Sequence, residues 1–102
     1  MGEYIKIAKT NEVLPGTVKF IEVRSNPIAL FNLDGNFYAI GNTCTHRGGP
    51  LAEGLITGAE VTCPWHGSRF KIPTGEVVGP PATRNVPRYN LRVQGDDIEI
   101  EV

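Results

Sequence analysis

Apolar and polar residues alternate with a period of two at both ends of this chain, the pattern of strands that bury one face. Near the start, Ile5 and Ile7 alternate with Tyr4, Lys6 and Ala8; at the far end, Ile98, Ile100 and Val102 alternate with Asp97, Glu99 and Glu101. Tyr89, Leu91 and Val93 alternate with Arg88, Asn90 and Arg92, which predicts another strand just before a Gly95-Asp96 turn. Thr17 to Val23 and Ile28 to Leu33 are rich in β-branched and aromatic residues. Asp34-Gly35 separates the second of these from Asn36 to Ile40, so the pair reads as a hairpin with a tight turn. No segment carries a 3.6-residue apolar stripe, and 12 glycines and 8 prolines interrupt the chain too often for long helices. The expected class is all-β, a small sandwich or barrel.

Between Gly41 and Ala82 the pattern changes. Gly, Pro and Thr concentrate, the strands shorten, and little apolar surface is available per residue. Such a segment needs an internal staple to stay ordered. The expectation is one domain over residues 1–102, with a β base from 1–41 and 82–102 and an insertion at 42–81 that a cofactor holds together.

Composition narrows the function. With 40% hydrophobic and 21% charged residues, the 102-residue chain suits one globular domain. A net charge of −1 lacks the Lys and Arg excess of a nucleic-acid binder. No apolar run approaches the roughly 18 residues of a membrane span. Met1-Gly2-Glu3-Tyr4-Ile5-Lys6 has neither the basic start nor the apolar stretch of a secretory signal, so a cytoplasmic location is expected. In that reducing compartment, thiols serve as metal ligands or core residues more often than as disulfides.

The two cysteines lie beside the only two histidines. Cys44-Thr45-His46-Arg47-Gly48-Gly49 and Cys63-Pro64-Trp65-His66-Gly67-Ser68 read as C-x-H, sixteen residues, then C-x-x-H. Each segment is a short loop offering one soft thiolate and one imidazole, a donor set that suits tetrahedral iron or zinc. Common zinc sites keep their cysteines together and their histidines together, whereas here the two types interleave.

These loops resemble the Rieske motif, in which two cysteines hold one iron of a [2Fe–2S] cluster and two histidines hold the other. Gly79-Pro80-Pro81-Ala82 is similar to the proline loop that covers the cluster in that family. The resemblance implies a Rieske-like antiparallel β sandwich or barrel base with an inserted small cluster-binding subdomain. It implies Cys44 and Cys63 on the inner iron, and His46 and His66 on the outer iron, at the tip. Backbone N–H groups near Gly48, Gly49 and Gly67 are expected to face the cluster sulfurs, and Ser68 to offer a hydroxyl to a bridging sulfide. Trp65 and Phe70 are expected to shield the cluster from water. The high-potential branch has an extra cysteine pair, at positions that here hold Gly49 and Trp65, and a tyrosine where Phe70 stands. The resemblance is therefore to the soluble, lower-potential ferredoxins, with Ser68 arguing for a higher value.

No nucleophile–base pair, dinucleotide fingerprint or phosphate loop is present, and a saturated cluster has no open position for substrate. The resemblance implies a non-enzymatic one-electron carrier between a flavoprotein NAD(P)H-dependent reductase and a terminal ring-hydroxylating oxygenase, monomeric and without nucleic-acid or membrane partners. The alternatives are a small Rieske subunit of a larger redox enzyme, such as a nitrite-reductase-like complex, and a zinc module for protein binding.

Overall fold

The computed structural model describes residues 2–102, which form eleven strands and two short 3-10 turns, Thr10–Glu12 and Leu51–Glu53, with no α-helix. The strands are β1 (Tyr4–Lys9), β2 (Val18–Val23), β3 (Asn26–Leu33), β4 (Asn36–Gly41), β5 (Leu55–Thr57), β6 (Glu60–Thr62), β7 (Arg69–Lys71), β8 (Val77–Gly79), β9 (Arg88–Tyr89), β10 (Leu91–Gln94) and β11 (Asp97–Glu101). They pair antiparallel into three sheets, ordered β1-β11-β10, β2-β3-β4-β9 and β5-β6-β7-β8. The all-β expectation holds.

The second sheet lies between two cores. Ile28, Leu30 and Ala39 pack with Ala8, Ile98 and Ile100 on one side. Ala29, Phe31 and Ile40, from the opposite face, pack with Leu51, Val61, Phe70 and both cysteines. Successive side chains of a strand point to opposite faces, so a strand buried on both must be apolar throughout. The run Ile28-Ala29-Leu30-Phe31 in β3 meets that demand.

Two details depart from the plain alternation. An irregularity between Lys6 and Ala8 shifts the β1–β11 register, so Ala8 lies opposite Ile98 and is buried with it. An extra residue in one strand reverses which face its later residues occupy. The predicted strand over 88–93 divides at Asn90: β9 joins β4, β10 joins β11, and Val93 is left exposed.

The turns follow local chemistry. Asp34 and Gly35, at φ of 55° and 90°, make the predicted β3–β4 turn, with the Asn32 Oδ1 accepting from the Gly35 N–H at 2.7 Å. The β2–β3 turn, Arg24-Ser25, also has both residues at positive φ but contains no glycine, so composition gave no sign of it.

Candidate metal centre

The two Cys-His segments fold into matched loops. Thr43 bridges Pro50 across the first, and Thr62 pairs with Arg69 across the second. In the first, the Cys44 N–H donates to the Gly49 carbonyl at 2.9 Å, and the Gly48 N–H donates back to the Cys44 carbonyl at 2.8 Å. In the second, Cys63 donates to Ser68 at 2.7 Å and Gly67 donates to Cys63 at 3.1 Å. Gly48 and Gly67 adopt φ of 80° and 81°, a region that strains residues with a Cβ. The same six-residue turn is thus built twice, although its histidines stand at different offsets.

Pairing follows from these turns. Both cysteines are buried, at 2% and 3% exposure, and lie side by side. The His46 and His66 rings meet edge to face with centroids 5.0 Å apart. His66 is exposed, whereas His46 is half-buried and its Nδ1 is buried without a hydrogen-bond partner. Among the described residues, no three His, Cys, Asp or Glu side chains converge as a site for a single ion. Two thiols beside each other and two imidazoles beside each other suit two metal centres better than one.

The electrostatics agree. Burial raises the Cys63 thiol above its ordinary range, the N–H groups of Trp65 and His66 pull it back, and the adjoining Cys44 adds to the rise. A buried Cys63 thiol raised in this way favours its protonated form, and a bound cation is what makes its thiolate tenable. The backbone donors aimed at Cys63 sulfur belong to Trp65 and His66. Both lie in the second glycine-containing loop, beside Gly67, while the N–H groups of Gly48 and Gly67 themselves close the loops.

Segments beyond the motif tie the loops down. Ser68, fully buried, accepts from the Ala82 N–H at 3.0 Å and so anchors the proline segment to the second loop. The Thr45 hydroxyl donates to the Arg84 carbonyl at 2.6 Å, joining the first loop to the same segment. The Asn42 Oδ1 accepts from the Ala52 N–H at 2.7 Å and fixes the first loop's return. Thr45 and Asn42 were not singled out from sequence; buried or loop-spanning polar partners 10 and 39 residues away leave no local signal. Phe70 is fully buried in the same core cluster as both cysteines. Trp65 is 55% exposed and lies over Gly49, so it forms surface rather than core.

Paired soft and imidazole donors on matched loops over a β base define a small protein suited to a two-iron cluster. The family description "Rieske [2Fe-2S] domain" matches residues 3–90, and the chain belongs to this family. Its cofactor is accordingly a Rieske-type [2Fe–2S] cluster. The chain is 30% identical over 100 residues, 98% of its length and 96% of the relative's, to the naphthalene 1,2-dioxygenase system ferredoxin component of Pseudomonas aeruginosa. It is 32% identical over 99 residues, 96% and 91% of the two lengths, to the biphenyl dioxygenase ferredoxin subunit of Pseudomonas sp. (strain KKS102). Among solved structures it matches the ferredoxin of carbazole 1,9a-dioxygenase from Nocardioides aromaticivorans IC177 with a TM-score of 0.92, 26% identity and 97% of each chain covered. It also matches a chain in the complex of reduced oxygenase and oxidized ferredoxin in carbazole 1,9a-dioxygenase, with a TM-score of 0.89, 28% identity and coverage of 95% and 91%. The molecule is thus an electron-carrying ferredoxin component rather than a catalyst. Among the described residues, no helix is long and apolar enough to cross a membrane.

Proposed function

We propose that this chain carries single electrons from a flavoprotein NAD(P)H-dependent reductase to a terminal ring-hydroxylating oxygenase, with Cys44 and Cys63 holding one iron and His46 and His66 the other. The observation that carries the ligand assignment is the paired geometry, with the orphaned His46 Nδ1 at its centre. A buried ring nitrogen without a partner is costly, and a metal bond removes that cost. In this reading residues 42–81 are the cluster-binding subdomain, 1–41 and 82–102 are its base, and the protein is a cytoplasmic monomer.

When bound, the cluster supplies a one-electron couple. The chain's own residues set its surroundings. Phe70 and the buried cysteines keep water from the inner side, while the exposed His66 gives the outer side a route to a partner. The N–H groups of Trp65 and His66 stabilise negative charge on the Cys63 sulfur. Two neutral imidazoles in place of two thiolates leave the oxidised cluster with less negative charge, which favours reduction.

Purified protein is expected to contain iron and inorganic sulfide but no zinc, and to show visible charge-transfer bands. After dithionite reduction it should give a low-average-g EPR signal. A colourless zinc protein would overturn the assignment. The midpoint is expected in the lower half of the range of about −150 to +300 mV, measured by protein-film voltammetry. Transfer to the oxygenase is tested by turnover with reductase, NAD(P)H and oxygenase together, where omission of this chain should abolish product formation.

Ser68 supplies a separate test. Ser68→Ala removes the acceptor of a buried N–H, costing about 1–3 kcal/mol. At roughly 4–8 °C per kcal/mol for a domain of this size, the melting temperature should fall clearly. We also propose that the Ser68 hydroxyl proton faces the cluster. The variant's midpoint should then be lower than that of the parent; an unchanged midpoint with a lowered melting temperature would leave Ser68 a purely structural role.

A further inference from the structure

Charge is distributed unevenly between the cluster end and the base. The chain has 10 Lys and Arg against 11 Asp and Glu, yet residues 42–52, 63–68 and 79–87 include Arg47 and Arg84 and not one carboxylate. Six cations, all outside these segments, are neutralised in ion pairs. Among the described residues, the cations without a carboxylate in ion-pair range are Lys19, Arg47, Arg84 and Arg88. Three of these four lie at or beside the cluster loops, where the adjoining carboxylate is Glu53, next to Ala52. Arg47 follows His46 and is exposed. The Arg84 carbonyl is held by Thr45, between Cys44 and His46. Arg88 pairs with Ile40 at the root of the first loop.

Distance decides whether a partner senses this end or the whole molecule. The principal extents are 39 × 27 × 17 Å, while electrostatic screening at physiological salt acts over about 8 Å. A protein docked at the loops therefore senses their local charge more than the net −1. Trp65, 55% exposed between the exposed Pro64 and His66, provides an apolar centre at the second loop. Trp and Arg are the residue types most often decisive at the middle of an interface.

We infer that the redox partners of this chain present an acidic surface to the His66 end, steered by Arg47 and Arg84 and seated on Trp65. This rests on the electron-carrier reading. Steering raises the association rate at low salt, and the seated apolar contact sets how long the complex lasts.

Stopped-flow oxidation of the reduced holoprotein by two protein acceptors tests it: plant plastocyanin, which is acidic, and mitochondrial cytochrome c, which is basic. With plastocyanin, the bimolecular rate is expected to fall roughly threefold or more as salt is raised from low to physiological strength. With cytochrome c it should stay level or rise. Charge reversal in the R47E/R84E protein should exchange these dependences. R84E alone, farther from the ligands, should reduce the plastocyanin dependence. Trp65→Ala should slow plastocyanin oxidation at every salt concentration alike. EPR spectra and midpoints recorded for each variant separate docking from driving force. A parent protein whose plastocyanin rate rises with salt, or charge variants that keep the parental dependence, would overturn the inference. Failure to reduce either acceptor would instead overturn the electron-carrier reading.

Discussion

Cys63→Ser protein is expected to be colourless on purification, with iron and sulfide contents near zero, and still folded. The loss follows from pairing: Cys44 and Cys63 lie side by side in the interior, so neither has a substitute donor nearby. The retained fold follows from where the cores sit. The core of Ala8, Ile28, Leu30, Ile98 and Ile100 contains no cysteine, and the two bonds that close the second loop, from the Cys63 N–H to Ser68 and from the Gly67 N–H to Cys63, use the Cys63 backbone and survive the substitution. Far-UV circular dichroism should therefore remain that of a β protein, while the melting temperature falls because the cluster no longer stabilises the loops.

The histidines should differ from one another. His66 is exposed, so the space left by His66→Gly is open to solvent, and imidazole added during reconstitution should restore colour. His46 has its Nδ1 buried, and His46→Gly should resist the same rescue. Equal rescue of both, measured by visible absorbance, would contradict the different burial assigned to the two rings.

Much of this fold was legible in the sequence because its information is local. Period-two alternation located β1 and β11, and Asp34-Gly35 located the hairpin whose turn has both residues at positive φ. The loops were legible for the same reason, since all four donors fall within two short motifs. What escaped prediction depends on contacts distant in sequence. The alternation of 88–93 is continuous, but its two halves join different sheets, and nothing in the residues marks Asn90 as the point of division. The Arg24-Ser25 turn is imposed by strands that pair on either side of it, not by turn-forming residues. Trp65 was expected to shield the cluster because aromatic residues bury large areas; its ring lies over Gly49 with more than half of its surface exposed, an arrangement set across two loops rather than by local sequence. The N–H groups near Gly67 that reach the Cys63 sulfur are those of Trp65 and His66, whereas Gly48 and Gly67 themselves serve the turns. Each has one N–H, and the loop's own carbonyl takes it.

Gly49 is where that local economy is tightest, and Gly49→Ala should have an effect out of proportion to one methyl group. A Cβ there would sit 2.5 Å from the Cys63 sulfur and 3.1 Å from Trp65 Cγ. Trp65 is on the surface and can swing aside. The Cys63 sulfur is buried next to Cys44 and cannot, so the two loops must separate. Cluster retention is expected to fall roughly 10–100-fold, the scale on which supporting residues act at metal sites. Gly48→Ala is the informative contrast. Its φ of 80° strains any residue with a Cβ, but the nearest atom to that Cβ, Thr43 Cγ2, is 3.7 Å away. It should therefore cost about 1–2 kcal/mol of stability while keeping its cluster. Iron and sulfide analysis alongside thermal unfolding distinguishes the two. Cluster loss in Gly48→Ala with retention in Gly49→Ala would mean that backbone conformation, rather than space between the loops, decides whether the cluster is held.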